Sequence, residues 1–191
     1  MPTLPEDLQR LFNAMDAADT AAEELSALLS DDEFFWQPDG GTRWSVALCL
    51  DHLAVANDLY VDAMRGGLEA AKQRGWRRQG PARPGFLGGK FAASLEPPVK
   101  RRTSAPGKIK PQATRSRAEI MAAYRAAHDK VRALLVDAAD VDVNRATFQN
   151  PFIGFVRMKV SSAFHIIAAH DRRHLWQAQQ VVAARRAHRG A

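Results

Sequence analysis

Cysteine is almost missing from this chain: Cys49 is the only one in 191 residues. That excludes an intramolecular disulfide framework and fits a reducing compartment. No apolar run approaches the roughly 18 residues that a membrane-spanning helix needs. Alternating β-branched sequence, the signature of half-buried strands, is also nearly absent. Met1 to Arg10 carries Glu6 and Asp7 and has no basic stretch ahead of an apolar core, so it does not read as a signal peptide. No internal repeat is visible. A cytoplasmic, helical protein with no membrane association is the expectation.

Acidic residues are scarce in one long stretch. Between Lys72 and Arg117 the only one is Glu96, although the net charge of the whole chain is just +6. Arg74, Arg77, Arg78, Arg83, Lys90, Lys100, Arg101, Arg102, Lys108, Lys110 and Arg115 all fall there. Arg185, Arg186 and Arg189 form a second basic cluster. Such clusters can hold nucleic acid, anionic lipid or anionic substrates. They can equally be a solvated loop and a helix end that offsets the helix dipole. The long stretch interleaves its cations with Pro and Gly, and no helix there is laid out to enter a groove. At most non-specific, salt-sensitive nucleic-acid binding is expected.

What is present is helical periodicity. Leu8, Leu11, Met15, Ala18, Ala22 and Leu25 recur at three- and four-residue steps, predicting a helix from Pro5 to about Leu29. Phe34, Phe35 and Trp36 form an aromatic knot before a turn at Pro38 to Gly41. A second helix opens near Trp44-Ser45, with Ser45 or Thr42 as cap, and runs to about Arg74. Gly66-Gly67 marks a kink or an earlier end. Residues 75–114 then read as a long irregular crossover outside the helices, with a short helix near Phe91 to Leu95 and with Phe86, Leu87, Phe91 and Leu95 packing part of it down. Ser116 and Glu119 make a capping box for a third helix, reaching about Ala139. After a linker over 140–150 and Pro151-Phe152-Ile153-Gly154-Phe155, a fourth helix spans about Arg157 to His188. The expected fold is all-α: a single domain over residues 1–191, a four-helix bundle with its long crossover between helices 2 and 3, and no sheet. Hydrophobic residues at 46% and charged residues at 25% suit one core at this length.

His170 and His174 are four residues apart, so they stack on one helical face. Ala163, Ile166 and Ile167 lie before them and Ala178 and Val181 after them on the same stripe, which should be buried. Gln177 adds an amide to it. His52 stands likewise on the apolar side of the second helix. Buried polar groups must be satisfied. A metal ion bound by imidazoles is one solution, and separate hydrogen bonds to each histidine are the other. His165 is turned off this face, and His128 sits at the edge of the third helix's stripe. Neither reads as a ligand. Cys49 reads as a small buried residue. His170-Asp171-x-x-His174 differs from the zincin pattern, which requires Glu as its base.

Trp44-Ser45, then His52-Leu53, a long loop, Pro151-Phe152-x-Gly154 and His170-Asp171-x-x-His174-x-x-Gln177 together resemble the DinB/YfiT-like superfamily over nearly the whole chain. The resemblance implies a four-helix bundle, often homodimeric. It implies one divalent ion held by His52, His170 and His174, for which zinc or nickel is the expectation. Gln177 itself reads either as an outer group orienting a ligand or a bound water, or as a polar residue at the bundle end. Leu48 departs from the pattern, since many relatives carry a polar residue there that closes a capping box with the serine.

Three imidazoles leave a coordination position open, as catalytic sites do. One reading is therefore a metal-dependent enzyme that activates a thiolate or water toward a small electrophile. Some relatives use a low-molecular-weight thiol for transfer or detoxification. No acid/base pair in the sequence assigns a reaction. The other reading is a non-catalytic metal-binding or stress-related protein whose basic loop docks an acidic partner or nucleic acid. Basic residues rimming the histidines would favour the first reading, and a separate basic face the second.

Overall fold

A computed structural model describes residues 4–99, 107–111 and 114–189. Lys100, Arg101 and Arg102 of the basic stretch lie outside them. The chain is mostly helical. Among the described residues four helices exceed twenty residues: α1 (Glu6–Ala27), α3 (Val46–Gln73), α5 (Arg117–Asp137) and α6 (Val160–Arg189). Between them lie two shorter ones, α2 (Asp31–Phe35) and α4 (Phe86–Leu95).

Local chemistry explains where these helices begin. Ser30 and Glu33 form a reciprocal capping box for α2, so a short helix starts just past the expected end of the first one and takes in Phe34 and Phe35. Ser116 and Glu119 do the same for α5, as the sequence predicts. Ser45 caps α3 by accepting the Leu48 N–H at 3.1 Å; Leu48 has no side chain to return the bond.

α3 packs on α5 and α6, and α1 packs on both as well. Their buried side chains fall into two apolar clusters at successive levels along the helices. One holds Leu8, Met15, Met64, Leu68, Leu135, Phe164 and Ile167. The other holds Ala22, Phe34, Leu50, Leu53, Tyr124, Leu175 and Val181. His170 and His174 of α6 belong to neither cluster and sit between Ala169 of the first and Leu175 of the second.

Two expectations are corrected. The chain does contain a sheet: β1 (Thr147–Gln149) pairs antiparallel with β2 (Arg157–Lys159), with Phe148 opposite Met158. β2 takes the residues assigned to the first turn of the last helix, so α6 starts at Val160. Phe148 is 3% exposed and anchors the ribbon on α3. This also accounts for Gly67, because a Cβ there would lie 2.6 Å from the Thr147 carbonyl oxygen. α3 continues through Gly66-Gly67 to Gln73. The second correction concerns which crossover residues pack down: Leu95 does, but Phe86, Leu87 and Phe91 stay exposed because α4 meets α6 through its small residues. Ala82, Ala92, Leu95 and Ile109 are buried, and α4, starting earlier than expected at Phe86, packs along α6.

Candidate metal centre

His52 lies on α3, at 1% exposure; His170 and His174 lie one turn apart on α6. The Nε2 atoms of His52 and His174 each sit 3.1 Å from Nε2 of His170. One ligand nitrogen from each residue lies within 4.8 Å of the other two. Among the described residues, no other group of three or more His, Cys, Asp or Glu side chains converges in this way.

The crossover supplies the backing. Nδ1–H of His52 donates to the Ile109 carbonyl at 2.6 Å. That bond fixes the tautomer and leaves Nε2 with its lone pair facing the other two histidines, the arrangement usual for a metal-bound imidazole. The Trp44 ring stacks on His174 with centroids 5.5 Å apart and lies 4.8 Å from that of His52. Trp44, just ahead of the α3 cap, thus closes one side of the cluster. Next to His52, buried Asp51 pairs with Arg115 at 3.0 Å, tying the end of the crossover to the same turn of α3.

Electrostatics keep these imidazoles neutral. Burial pushes the pKa of His170 down to about 3, helped by the neighbouring His52 and by Arg173. Burial also lowers His174 well below the usual range, and His170, His52 and Arg173 add to this; the amide of Gln177 works weakly against it. His52 is lowered by burial, with the Ile109 carbonyl partly opposing. Nδ1 of His174 is buried without a hydrogen-bond partner. Three neutral rings whose Nε2 atoms converge cannot all be satisfied by hydrogen bonds to one another. A single cation satisfies all of them, so the donor set fits a metal ion.

The sequence placed His128 at the edge of a stripe; it is in fact fully buried, and as expected it is not in the cluster. Its Nδ1 lies 2.6 Å from Asp19 of α1 and its Nε2 3.4 Å from Asp171 of α6. Asn57 of α3 donates to Asp171 at 3.2 Å, and Arg132 of α5 pairs with Asp19 and Asp16. Asp19, Asn57, His128 and Asp171 thus form a polar layer, with one contribution from each long helix. Sequence reasoning missed this layer. Asp171 carried a signal, being a charge within a stripe that had to be buried. The Ile109 carbonyl carried none, because any residue has one.

The remaining candidates fall where their chemistry suggests. Cys49 is buried among apolar side chains, and burial pushes its thiol pKa up. Nε2 of His165 lies 3.2 Å from the Ala82 carbonyl and holds the crossover against α6. Of the basic residues, Lys108 and Lys110 are exposed on either side of Ile109. Arg78 pairs with Asp7, and Arg74 lies over Trp76.

These features define a helical protein whose interior holds three converging imidazoles able to accept a metal ion. A sequence profile of the DinB superfamily matches residues 14–178, which include all three histidines. The chain belongs to the DinB superfamily. Comparison with curated proteins and with solved structures found no match.

Proposed function

We propose that this protein is a metal-dependent enzyme of the superfamily, with His52, His170 and His174 as its three ligands on a four-helix bundle. The observation that carries the proposal is the convergence of three neutral Nε2 atoms, with the His52 tautomer set by the Ile109 carbonyl. A divalent ion, zinc or nickel, held by neutral ligands keeps its full charge and supplies Lewis acidity, favouring a thiolate or hydroxide over a thiol or water.

The chain's own groups orient and select. Ile109 and Gln177 steady the imidazoles, and Trp44 shields them from water on one side. Arg173, only 9% exposed, and the Asp51–Arg115 pair lie close by, while Lys108 and Lys110 flank the Ile109 contact. Arg173, Lys108 and Lys110 bias the surroundings of the cluster toward an anionic small molecule. A low-molecular-weight thiol used in S-transfer fits that charge and the resemblance. On this reading the protein is a cytoplasmic homodimer without sequence-specific nucleic-acid binding.

The test combines metal analysis of the purified protein with turnover assays on thiol cofactors and electrophiles. One equivalent of metal and metal-dependent turnover are expected. His170→Ala should lose both and retain the helical circular dichroism spectrum. A metal-loaded protein that turns nothing over, together with an unfolded His170→Ala, would identify a structural site.

A second reading has an observation of its own. Two of the three candidate ligands, His52 and His174, are only 1% and 6% exposed, which favours a buried structural ion, while His170 is half-buried. On that reading the protein is a non-catalytic, stress-related metal binder whose basic crossover docks an acidic partner or nucleic acid.

A further inference from the structure

Helices on a protein surface usually turn their large apolar side chains inward. α4 does the reverse. It meets α6 through its smallest residues: at Gly88 a Cβ would lie 2.5 Å from the Ser162 side chain, and Ala92 is buried nearby. The Gly85 N–H donates to Ser162 Oγ at 3.1 Å, holding the helix start in place. Of the large residues only Leu95 is buried; Phe86, Leu87 and Phe91 are 74%, 79% and 49% exposed. Positions 86, 87, 90 and 91 share one face. Lys90 stands among the apolar three, with Nζ 4.4 Å from the Phe86 ring centroid. Single exposed apolar residues are ordinary, but three on one face of a ten-residue helix call for an occupant.

The surroundings restrict what that occupant can be. From Gly75 to Leu95 the sequence has no Asp or Glu, and Arg83 and Lys90 are both exposed. The Lys159 side chain passes beside Gly85, 3.5 Å from where its Cβ would be. Glu96, the first acidic residue beyond the helix, is engaged with Arg172. A second copy docking through the same face would set these cations against each other, since a two-fold contact must be self-complementary. A surface of acidic phospholipid takes up both the rings and the charges.

We propose that α4 is a docking face for membrane surfaces rich in anionic phospholipid. Phe86, Leu87 and Phe91 insert at headgroup level, and Arg83, Lys90 and Lys159 meet the phosphates. This is peripheral contact. No described helix is long and apolar enough to cross a membrane. The proposal is independent of what the histidines bind.

Co-sedimentation of the full chain with lipid vesicles tests it. Binding to phosphatidylcholine vesicles containing phosphatidylglycerol is expected to exceed binding to phosphatidylcholine alone by at least about tenfold and to weaken with salt. The triple variant Phe86→Ser/Leu87→Ser/Phe91→Ser should lose binding with its circular dichroism spectrum unchanged. Lys90→Glu should weaken binding about tenfold. Leu28→Ser, which removes an apolar side chain 70% exposed outside α4, should bind like wild type. Equal or no binding to the two vesicle types would overturn the proposal. So would a Leu28→Ser loss as large as that of the triple variant. A solution dimer that the triple variant dissolves would assign the face to a second copy instead.

Discussion

Two histidine environments lie close together in this molecule, and they end in opposite charge states. His128 and the cluster of His52, His170 and His174 are packed among the same long helices. Burial opposes charge on each of them. At His128, Asp171 and Asp19 outweigh that cost, and its pKa rises to about 9. At His170 the neighbours are other imidazoles and an arginine, so nothing offsets burial and the pKa falls to about 3. Asp171 adjoins His170 in sequence, yet its carboxylate is turned toward His128 and Asn57. One turn of α6 therefore serves both sites, sending its carboxylate to the polar layer and its imidazoles to the cluster that could hold a metal ion. The same residue type thus does two jobs, set by which neighbours carry negative charge.

The comparison can be broken most forcefully at His128. His128→Ala should leave Asp19 and Asp171 buried without their shared cation, costing roughly 3–5 kcal/mol of stability in chemical denaturation. A cost within about 0.5 kcal/mol, the range of ordinary surface substitutions, would mean that the layer is not a charged network. His170→Ala should behave oppositely. It removes a neutral imidazole that has no charged partner, so the metal-free protein should keep its stability to within about 1 kcal/mol. What disappears is metal-induced stabilisation. In wild type this should reach about 2.7 kcal/mol when free metal is a hundred times its Kd, and in the variant it should vanish.

The charge states also predict opposite responses to pH. The pKa of His128 is raised on folding, so its contribution is complete below the unfolded value of about 6.5 and is lost as pH rises toward 9. His170 is depressed, so its neutral form costs stability as pH falls from about 6.5 toward 3. Denaturation of the metal-free protein across both windows should show the two slopes, and His128→Ala should flatten only the alkaline one. The smallest effect is expected at Gln177. Gln177→Ala should weaken metal binding about tenfold, the low end for a group that steadies a ligand, and titration calorimetry can resolve it. An unchanged affinity would leave Gln177 as a helix-surface amide.

Legibility of the fold from the sequence varied with the range of the interaction involved. Capping at Ser45 and Ser116 was legible because a cap is settled within four residues. So were the stripes of α1, α3, α5 and α6. The β ribbon was not, because three-residue strands give no periodicity to read, and Arg157–Lys159 looks like the first turn of α6. The sequence also starts α4 late, near Phe91, where the helix begins at Phe86. Its Phe86 start is set by the Gly85–Ser162 and Gly88–Ser162 approach to α6, which no local pattern announces.

His52, His170 and His174 were legible as polar residues on faces that had to be buried, in an order that matches the superfamily. Their face is a matter of spacing, and spacing belongs to the sequence. Which nitrogen of His52 points inward was decided elsewhere, by the carbonyl of Ile109, 57 residues away along the crossover. The charge of His128 was decided by α1 and α6 bringing Asp19 and Asp171 to either side of it. Helical periodicity determines which side chains go inward. Only the packing of separate helices determines what they meet there, and those contacts set protonation and tautomer.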